Sequence, residues 1–249
     1  LIGGTGVDTV DYSASASAVT LNLGTGTGSA GDASGDTYSG IERIIGSALA
    51  DSITGSANAD TLEGGAGDDT IDGGAGSDNI LGGAGNDTIV GGSGSDIIDG
   101  GVGTDTADYS ASTTGVIVYT DGVNQGQGGT ATGDVLSNIE RVIGSAFADT
   151  LYGTTGNETL QGGAGNDIYI VGPTTDNAGM IDGIIKFKST SLSYEQSRYP
   201  EGSPRLMFVR PDFYNTEFTN LYTIGDGNSN FYFIKKNFMF INTGSFGEE

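Results

Sequence analysis

The sequence contains no cysteine, no histidine and no tryptophan. Without cysteine there are no disulfides and no thiolate metal sites. Without histidine there is no imidazole for acid–base work, for Ser–His or Cys–His nucleophilic catalysis, or for an HExxH zinc site. The GxSxG pattern of a nucleophile elbow is missing as well. We therefore predict that the chain is not itself an enzyme.

Basic residues are scarce, with nine lysines and arginines against 32 acidic residues and a net charge of −23. Through residue 172 there are only Arg43 and Arg141. Such an acidic surface repels phosphate backbones and excludes nucleic acid as a partner. No apolar run approaches the roughly 18 residues of a membrane span, so no transmembrane segment is predicted. A segment this charged, with so little apolar surface, should stay disordered until counterions bind.

Glycine, by contrast, is abundant, with 46 residues. Much of it follows a nine-residue cycle, GGxGxDxUx with U a large aliphatic, which runs from Gly46 to Asp108 and is clearest in GGAGDDTID at 64–72 and GGAGNDTIV at 82–90. Glycines at positions 1, 2 and 4 allow a sharp turn, and the following xUx is a strand-length piece with one inward side chain. Two cycles then make one 18-residue coil, so Ile71 should stack near Ile89.

Position 6 is aspartate in all seven units from Gly46 to Asp108. Coiling stacks these carboxylates about 4.8 Å apart, where they repel strongly unless something neutralises them. Turn carbonyls and two aspartates can supply the six to eight oxygens that calcium prefers. The alternative is that Asp and Gly merely mark turns, and we favour a cation because seven units keep one register. The residues are Asp51, Asp60, Asp69, Asp78, Asp87, Asp96 and Asp105.

This nonapeptide resembles the RTX, or hemolysin-type calcium-binding, repeat family. The resemblance implies an all-β fold, a right-handed parallel β-roll or β-solenoid, in which aspartates two repeat units apart share a calcium ion with backbone carbonyls. The strongest implied pairs are Asp69 with Asp87, Asp78 with Asp96, and Asp87 with Asp105. Weaker pairs, whose first turns lack part of the glycine pattern, are Asp51 with Asp69 and Asp60 with Asp78.

A longer period of about 97 residues lies over the short one. GGTGVDTVDYSAS at 3–15 returns as GGVGTDTADYSAS at 100–112, and the Ile-Glu-Arg segment around Arg43 returns around Arg141. We predict one solenoid over residues 1–172, in which each block contains a long stretch that leaves the nine-residue rhythm. We interpret these departures as wider coils, with a looped-out insertion as the alternative. The duplication favours a shared structural role for the two arginines, pairing with a neighbouring carboxylate.

The nine-residue rhythm resumes at the end of the second block, in units starting at residues 144, 153 and 162. Asp149 and Asp167 are two units apart and are implied to share an ion. Position 6 of the unit between them is Glu158, whose longer side chain puts that site in doubt. The complete set of predicted calcium ligands is Asp51, Asp60, Asp69, Asp78, Asp87, Asp96, Asp105, Asp149 and Asp167.

Residues 173–249 have a different composition, with seven of the nine basic residues and 14 of the 21 phenylalanines and tyrosines. Short apolar runs separated by polar stretches predict a small antiparallel β domain. The segment starting at Asp226 resembles the opening of a DxNxN calcium loop, but we favour a hairpin turn between two strands. Interfaces favour aromatic residues and arginine, so this domain is our candidate for self-association or surface-polysaccharide binding.

RTX-like proteins are typically exported by type I secretion and fold in external calcium, which implies an extracellular or bacterial cell-surface location. The chain opens inside a repeat, at Leu1, which leads us to expect a piece of a longer polypeptide. Two functions remain open. The first is a structural or adhesive surface protein segment of the S-layer, filament or adhesin type. The alternative is the calcium-dependent C-terminal module of a secreted protease, lipase or polysaccharide-modifying enzyme, with its catalytic domain outside this chain.

Overall fold

The computed structural model describes residues 1–154 and 158–170, together with the backbone of three short strands beyond them. Two single-turn 3-10 helices, Gly31–Ala33 and Gly129–Ala131, interrupt an architecture that is otherwise built of strands. In chain order the strands are β1 (Thr9–Asp11), β2 (Thr20–Asn22), β3 (Thr27–Ala30), β4 (Arg43–Ile45), β5 (Ser52–Thr54), β6 (Thr61–Ala66), β7 (Thr70–Asp72), β8 (Asn79–Ala84), β9 (Thr88–Val90), β10 (Ile97–Val102), β11 (Thr106–Asp108), β12 (Ile117–Tyr119), β13 (Val135–Ser137), β14 (Arg141–Ile143), β15 (Thr150–Tyr152), β16 (Thr159–Gln161), β17 (Ile168–Ile170), β18 (Arg205–Leu206), β19 (Leu221–Gly225) and β20 (Asn230–Ile234).

From Gly46 to Asp108, successive nine-residue units send their strands alternately to two sheets. One sheet has the order β1-β4-β6-β8-β10-β13, and the other has the order β16-β14-β11-β9-β7-β5-β2-β3. In the second block, β15 and β17 lie in a third sheet of order β12-β15-β17-β18. Within each sheet the nonapeptide strands pair in parallel with the strand two units away, so Ile80 is in register with both Leu62 and Ile98. Ile71 is in register with Ile89 in the second sheet. The two-unit coil and the parallel β-roll predicted from the repeat are therefore confirmed.

The core is one side chain wide on each nonapeptide strand. Ile71, Ile80 and Ile89 are fully buried, whereas the residues on either side of each in its strand are partly or fully exposed. These aliphatic side chains belong to one continuous cluster that runs from Val10 to Tyr169. Because each coil contributes so little apolar surface of its own, its stability depends on stacking against its neighbours.

The two departures from the nine-residue rhythm are wider coils of the same roll, as we interpreted them. In the first block β2 pairs in parallel with β5, and β3 adds to the edge of that sheet as an antiparallel strand. In the second block β12 pairs in parallel with β15 and β13 pairs in parallel with β10. Both wide coils also bury a tyrosine of the duplicated YSAS sequence, Tyr12 or Tyr109. A looped-out insertion does not fit this pairing.

The C-terminal region is described only through three strands. β18 pairs in parallel with β17, and β19 pairs with β20 in antiparallel fashion from Leu221 opposite Ile234 to Gly225 opposite Asn230. This antiparallel pair agrees with a hairpin across the segment that starts at Asp226. The other predicted strands of residues 173–249, and residues 155–157, lie outside the described residues.

Candidate metal centre

In the central coils, which comprise the units from Gly64 to Asp108, the glycine-rich turn places each position-6 carboxylate against the position-1 glycine of its own unit. In the turn before β7, Gly65 and Gly67 have φ angles of 114° and 110°, which L side chains rarely adopt. The carboxylate of Asp69 lies beneath Gly64, with Oδ2 only 2.3 Å from the place that a Cβ on Gly64 would take. Glycine at position 1 therefore provides the room that the carboxylate occupies.

The position-6 aspartates form a hydrogen-bonded ladder from coil to coil. In six of the nine, the backbone N–H donates to Oδ1 of the aspartate two units on, at 2.7–3.1 Å. All nine predicted ligands lie in these turns and are almost completely buried. The structure brings together every pair that the resemblance implies: Asp51 with Asp69, Asp60 with Asp78, Asp69 with Asp87, Asp78 with Asp96, Asp87 with Asp105, and Asp149 with Asp167.

In the central coils the second carboxylate oxygen has no hydrogen-bond donor. Oδ2 is buried without a partner in Asp69, Asp78, Asp87, Asp96 and Asp105. At Asp69, this oxygen and the carbonyl oxygen of Gly82 in the next coil border the same space above Gly64. A Cβ on Gly64 would lie 2.3 Å from Asp69 Oδ2 and 2.6 Å from the Gly82 carbonyl oxygen. A buried carboxylate oxygen without a donor is costly unless a positive charge lies beside it.

The pKa values of these aspartates reflect the same environment. Burial raises the pKa of Asp69 and Asp78 to about 7, backbone hydrogen bonds oppose the increase, and neighbouring carboxylates of the same column add to it. Burial also raises the pKa of Asp87 and Asp105. A raised carboxyl pKa means that the surroundings disfavour the ionised form. A cation between the coils would remove that cost.

The donor set fits calcium. It consists of carboxylate and carbonyl oxygens, which are the ligands of hard dications. Among the residues that the structure describes, no group of three or more acidic side chains is placed to hold a metal ion. An ion would therefore be held by the aspartates of adjacent coils and by turn carbonyls, and it would supply the positive charge that cross-links those coils. The individual ligand roles of the nine aspartates stay a prediction.

The wide coils continue the ladder with residues outside the nine-residue pattern. The backbone N–H of Asp105 donates to Glu140 at 2.9 Å, and that of Asp8 donates to the equivalent Glu42 at 3.0 Å. These glutamates belong to the duplicated Ile-Glu-Arg segments. From the duplication we predicted a role only for the arginines, although the same signal marks the glutamates.

Asp134 is a further member of the ladder that the repeat pattern did not predict. It is fully buried, and its Oδ1 accepts the backbone N–H of Asp96 at 3.0 Å across a separation of 38 residues. Its Oδ2 accepts the Tyr109 hydroxyl at 3.0 Å, and burial raises the pKa of the carboxyl to about 7. The nine-residue spacing could not mark Asp134, because the chain covers a wide coil between the two aspartates. The long repeat does mark it, since Asp134 corresponds to Asp36, which accepts the Tyr12 hydroxyl.

The two arginines have different partners. Arg43 forms an ion pair with Glu63 at 2.5 Å, which confirms the predicted carboxylate pairing for this residue. Arg141 donates to the amide oxygen of Gln161 at 3.3 Å instead. Glu158 accepts the backbone N–H of Thr154 at 3.1 Å within its own turn. This contact lies within one turn and does not link two coils, so it gives no support for a calcium site at Glu158.

The repeat geometry agrees with the comparison to known families. The family model of the RTX calcium-binding nonapeptide repeat matches four stretches, residues 36–71, 45–80, 72–107 and 138–176. The chain carries an RTX calcium-binding repeat region. RTX nonapeptides bind calcium ions, and proteins that contain them are typically secreted. All nine predicted ligands fall in the RTX region, whereas Asp134 lies between two matched stretches.

A comparison with curated proteins finds no match to the chain. In the part of the chain that the structure describes, no helix has the length and apolar character required to cross a membrane.

Proposed function

We propose that the chain is an extracellular, calcium-stiffened segment of a structural or adhesive bacterial surface protein. The observation that carries this proposal is the run of buried aspartates whose Oδ2 atoms have no donor. Carboxylates in that state destabilise the coils until a cation binds, so calcium acts as a folding switch. Inside the cell calcium is scarce and the chain stays unfolded for export, whereas outside it folds into a stiff roll.

The burial of the carboxylates favours this role over catalysis within the chain. General acids and bases must reach a substrate, but the nine position-6 aspartates are at most 3% exposed and are enclosed in turns. The alternative is that the roll is the calcium-dependent module of a secreted enzyme whose catalytic domain lies elsewhere in the polypeptide. Any further sequence of the same polypeptide distinguishes the two: a catalytic signature supports the enzyme module, and further copies of the long repeat block support the surface protein.

Circular dichroism during an EGTA titration tests the folding switch. We expect most of the β signal to be lost on chelation and regained when calcium is added in excess, because the aliphatic stack is too thin to offset the uncompensated carboxylates. Retention of the full β signal without calcium would show that the stack is sufficient and would contradict the switch.

We further propose that residues 173–249 bear the interaction, either self-association or polysaccharide binding, with the roll as their spacer. This segment has nine acidic and seven basic residues, so it can approach an acidic neighbour with less repulsion than the roll. Its side chains lie outside the described residues, and the support is compositional. Deleting residues 173–249 should abolish self-association and glycan binding while the calcium-loaded roll stays folded. Unchanged binding by the truncated chain would place the contact on the roll.

A further inference from the structure

Asp51 differs from the aspartates of the central coils because both of its carboxylate oxygens have donors. Its Oδ2 accepts the backbone N–H of Ser47 at 2.5 Å. Its Oδ1 accepts the Ser47 hydroxyl at 2.8 Å and the backbone N–H of Val19 at 2.7 Å. The carboxylate is 3% exposed, yet no atom of it lacks a partner.

Asp149 repeats this arrangement in the second block. Its Oδ2 accepts the backbone N–H of Ser145 at 2.7 Å, and its Oδ1 accepts the Ser145 hydroxyl at 2.7 Å and the backbone N–H of Val116 at 2.8 Å. In both blocks the third donor comes from the wide coil that precedes the turn. The same three-donor set therefore occurs in both copies of the duplicated block.

The residue at position 2 of the unit explains the difference. In the central coils this residue is a glycine in the left-handed region, such as Gly65 with φ 114° and Gly83 with φ 120°. Ser47 and Ser145 do not adopt a positive φ, since Asn138 is the one non-glycine residue that does so among the described residues. With ordinary φ the position-2 N–H points at the carboxylate, and serine adds a hydroxyl donor.

Ser56 is an intermediate case that supports this interpretation. Its backbone N–H donates to Asp60 Oδ2 at 2.6 Å, but Asp60 Oδ1 remains buried without a donor. No wide coil precedes this turn to supply the third donor. At Asp51 and Asp149 the serine and the wide coil together supply donors to both carboxylate oxygens.

We propose that Ser47 and Ser145 take the place of calcium at the first turn of each repeat run, so that Asp51 and Asp149 are structural residues and not calcium ligands. Each run then starts from a coil that is complete without an ion, on which the calcium-dependent coils stack. This inference rests on the proposed calcium function, because it divides the RTX aspartates into ion-binding and ion-independent members.

Counting bound calcium in the full-length chain tests the proposal. The test variant carries Asp51→Asn and Asp149→Asn, and the matched control carries Asp69→Asn and Asp87→Asn. We expect the test variant to bind as many ions in equilibrium dialysis as the unchanged chain, while its melting temperature in calcium falls by about 2–10 °C from the lost hydrogen bonds. The control should bind fewer ions.

A second variant, Ser47→Ala with Ser145→Ala, keeps both backbone N–H groups and removes only the hydroxyls. It should also retain the full number of ions and melt at a lower temperature. Loss of ions from either the Asp51/Asp149 or the Ser47/Ser145 variant, comparable with the control, overturns the serine proposal alone. If the Asp69/Asp87 control loses no ions, the calcium function of the ladder fails, and the serine proposal fails with it.

Discussion

At the residue scale, the main contrast is between buried carboxylates that have donors and those that do not. Asp69 and Asp51 are both buried position-6 aspartates, yet only Asp69 has an oxygen without a partner. The cause is local backbone geometry and not distance from solvent. Calcium dependence in this roll is thus decided turn by turn, by the residue at position 2 and by what the neighbouring coil donates.

Position-1 glycines that lie against a position-6 carboxylate, such as Gly64, are expected not to tolerate a side chain. In Gly64→Ala the new Cβ would lie 2.3 Å from Asp69 Oδ2 and 2.6 Å from the Gly82 carbonyl oxygen. Gly64 does not have a positive φ, so the effect is purely steric. We expect a loss of about 1–3 kcal/mol in stability from overpacking, measured by urea unfolding in calcium, together with weaker calcium binding.

Gly4→Ala is the matched control, because Gly4 is also in a turn of the roll but a Cβ there meets nothing within 4 Å. Its backbone N–H, which donates to Asp8, is unchanged by the substitution. We expect the free energy of unfolding to change by less than about 0.5 kcal/mol. Equal losses in the two variants would contradict the role assigned to the space above the carboxylate.

At the element scale, the strands are too short to be stable alone, and each relies on the one above and the one below. Most have three residues and one buried side chain. The wide coils differ because they carry internal polar networks, such as the Tyr12 hydroxyl bonded to Asp36 and Tyr38 at 2.6 Å each. These coils add aromatic core ahead of each nine-residue run, next to the turns of Ser47 and Ser145.

The aliphatic stack should be sensitive to a single truncation. Ile80→Ala removes a fully buried side chain that lies in register between Leu62 and Ile98. The rigid coils on either side cannot collapse into the cavity, so we expect a loss of about 2–5 kcal/mol in chemical unfolding at saturating calcium.

Ile97→Ala is the control for this stack. Ile97 is 57% exposed and precedes Ile98 in β10, so the same truncation there leaves no cavity. A change within about 0.5 kcal/mol is expected. A large loss from Ile97→Ala would mean that strand propensity, and not the buried stack, dominates the stability of the roll.

At the scale of the whole molecule, a net charge of −23 and a ladder of buried carboxylates oppose folding by different means. Surface repulsion is long-range and is screened by any salt, whereas the buried carboxylates need an ion within contact distance. The two contributions can therefore be separated by the choice of cation.

Calcium should restore the β signal of the EGTA-treated chain, whereas an equal concentration of magnesium or a high concentration of sodium chloride should not. Magnesium requires near-ideal octahedral geometry at about 2.0–2.1 Å and loses water reluctantly, so a site of turn carbonyls and aspartates suits it poorly. Circular dichroism in each salt measures the difference. Full recovery in sodium chloride alone would show that surface repulsion, and not the ladder, keeps the chain unfolded.

Much of the fold and the site could be predicted because both follow from short-range periodicity. A nine-residue spacing places Ile71 opposite Ile89 and Asp69 beside Asp87 in any regular coil. The strands of the wide coils were also recognisable, since apolar runs such as Val116–Tyr119 keep a β pattern without the glycines. The nine-residue spacing could not predict which strands pair with each other across a wide coil, because the wide coils differ in length from the nine-residue units.

The sequence by itself determined the period, the parallel roll and the columns of aspartates, because repeated local geometry leaves little freedom in how units stack. Only the tertiary structure decided which carboxylates have donors. Asp134 and Glu140 join the ladder across 38 and 35 residues, and Asp51 is satisfied by Val19 across 32. Those contacts depend on how a wide coil closes in space, and a carboxylate's need for calcium depends on them.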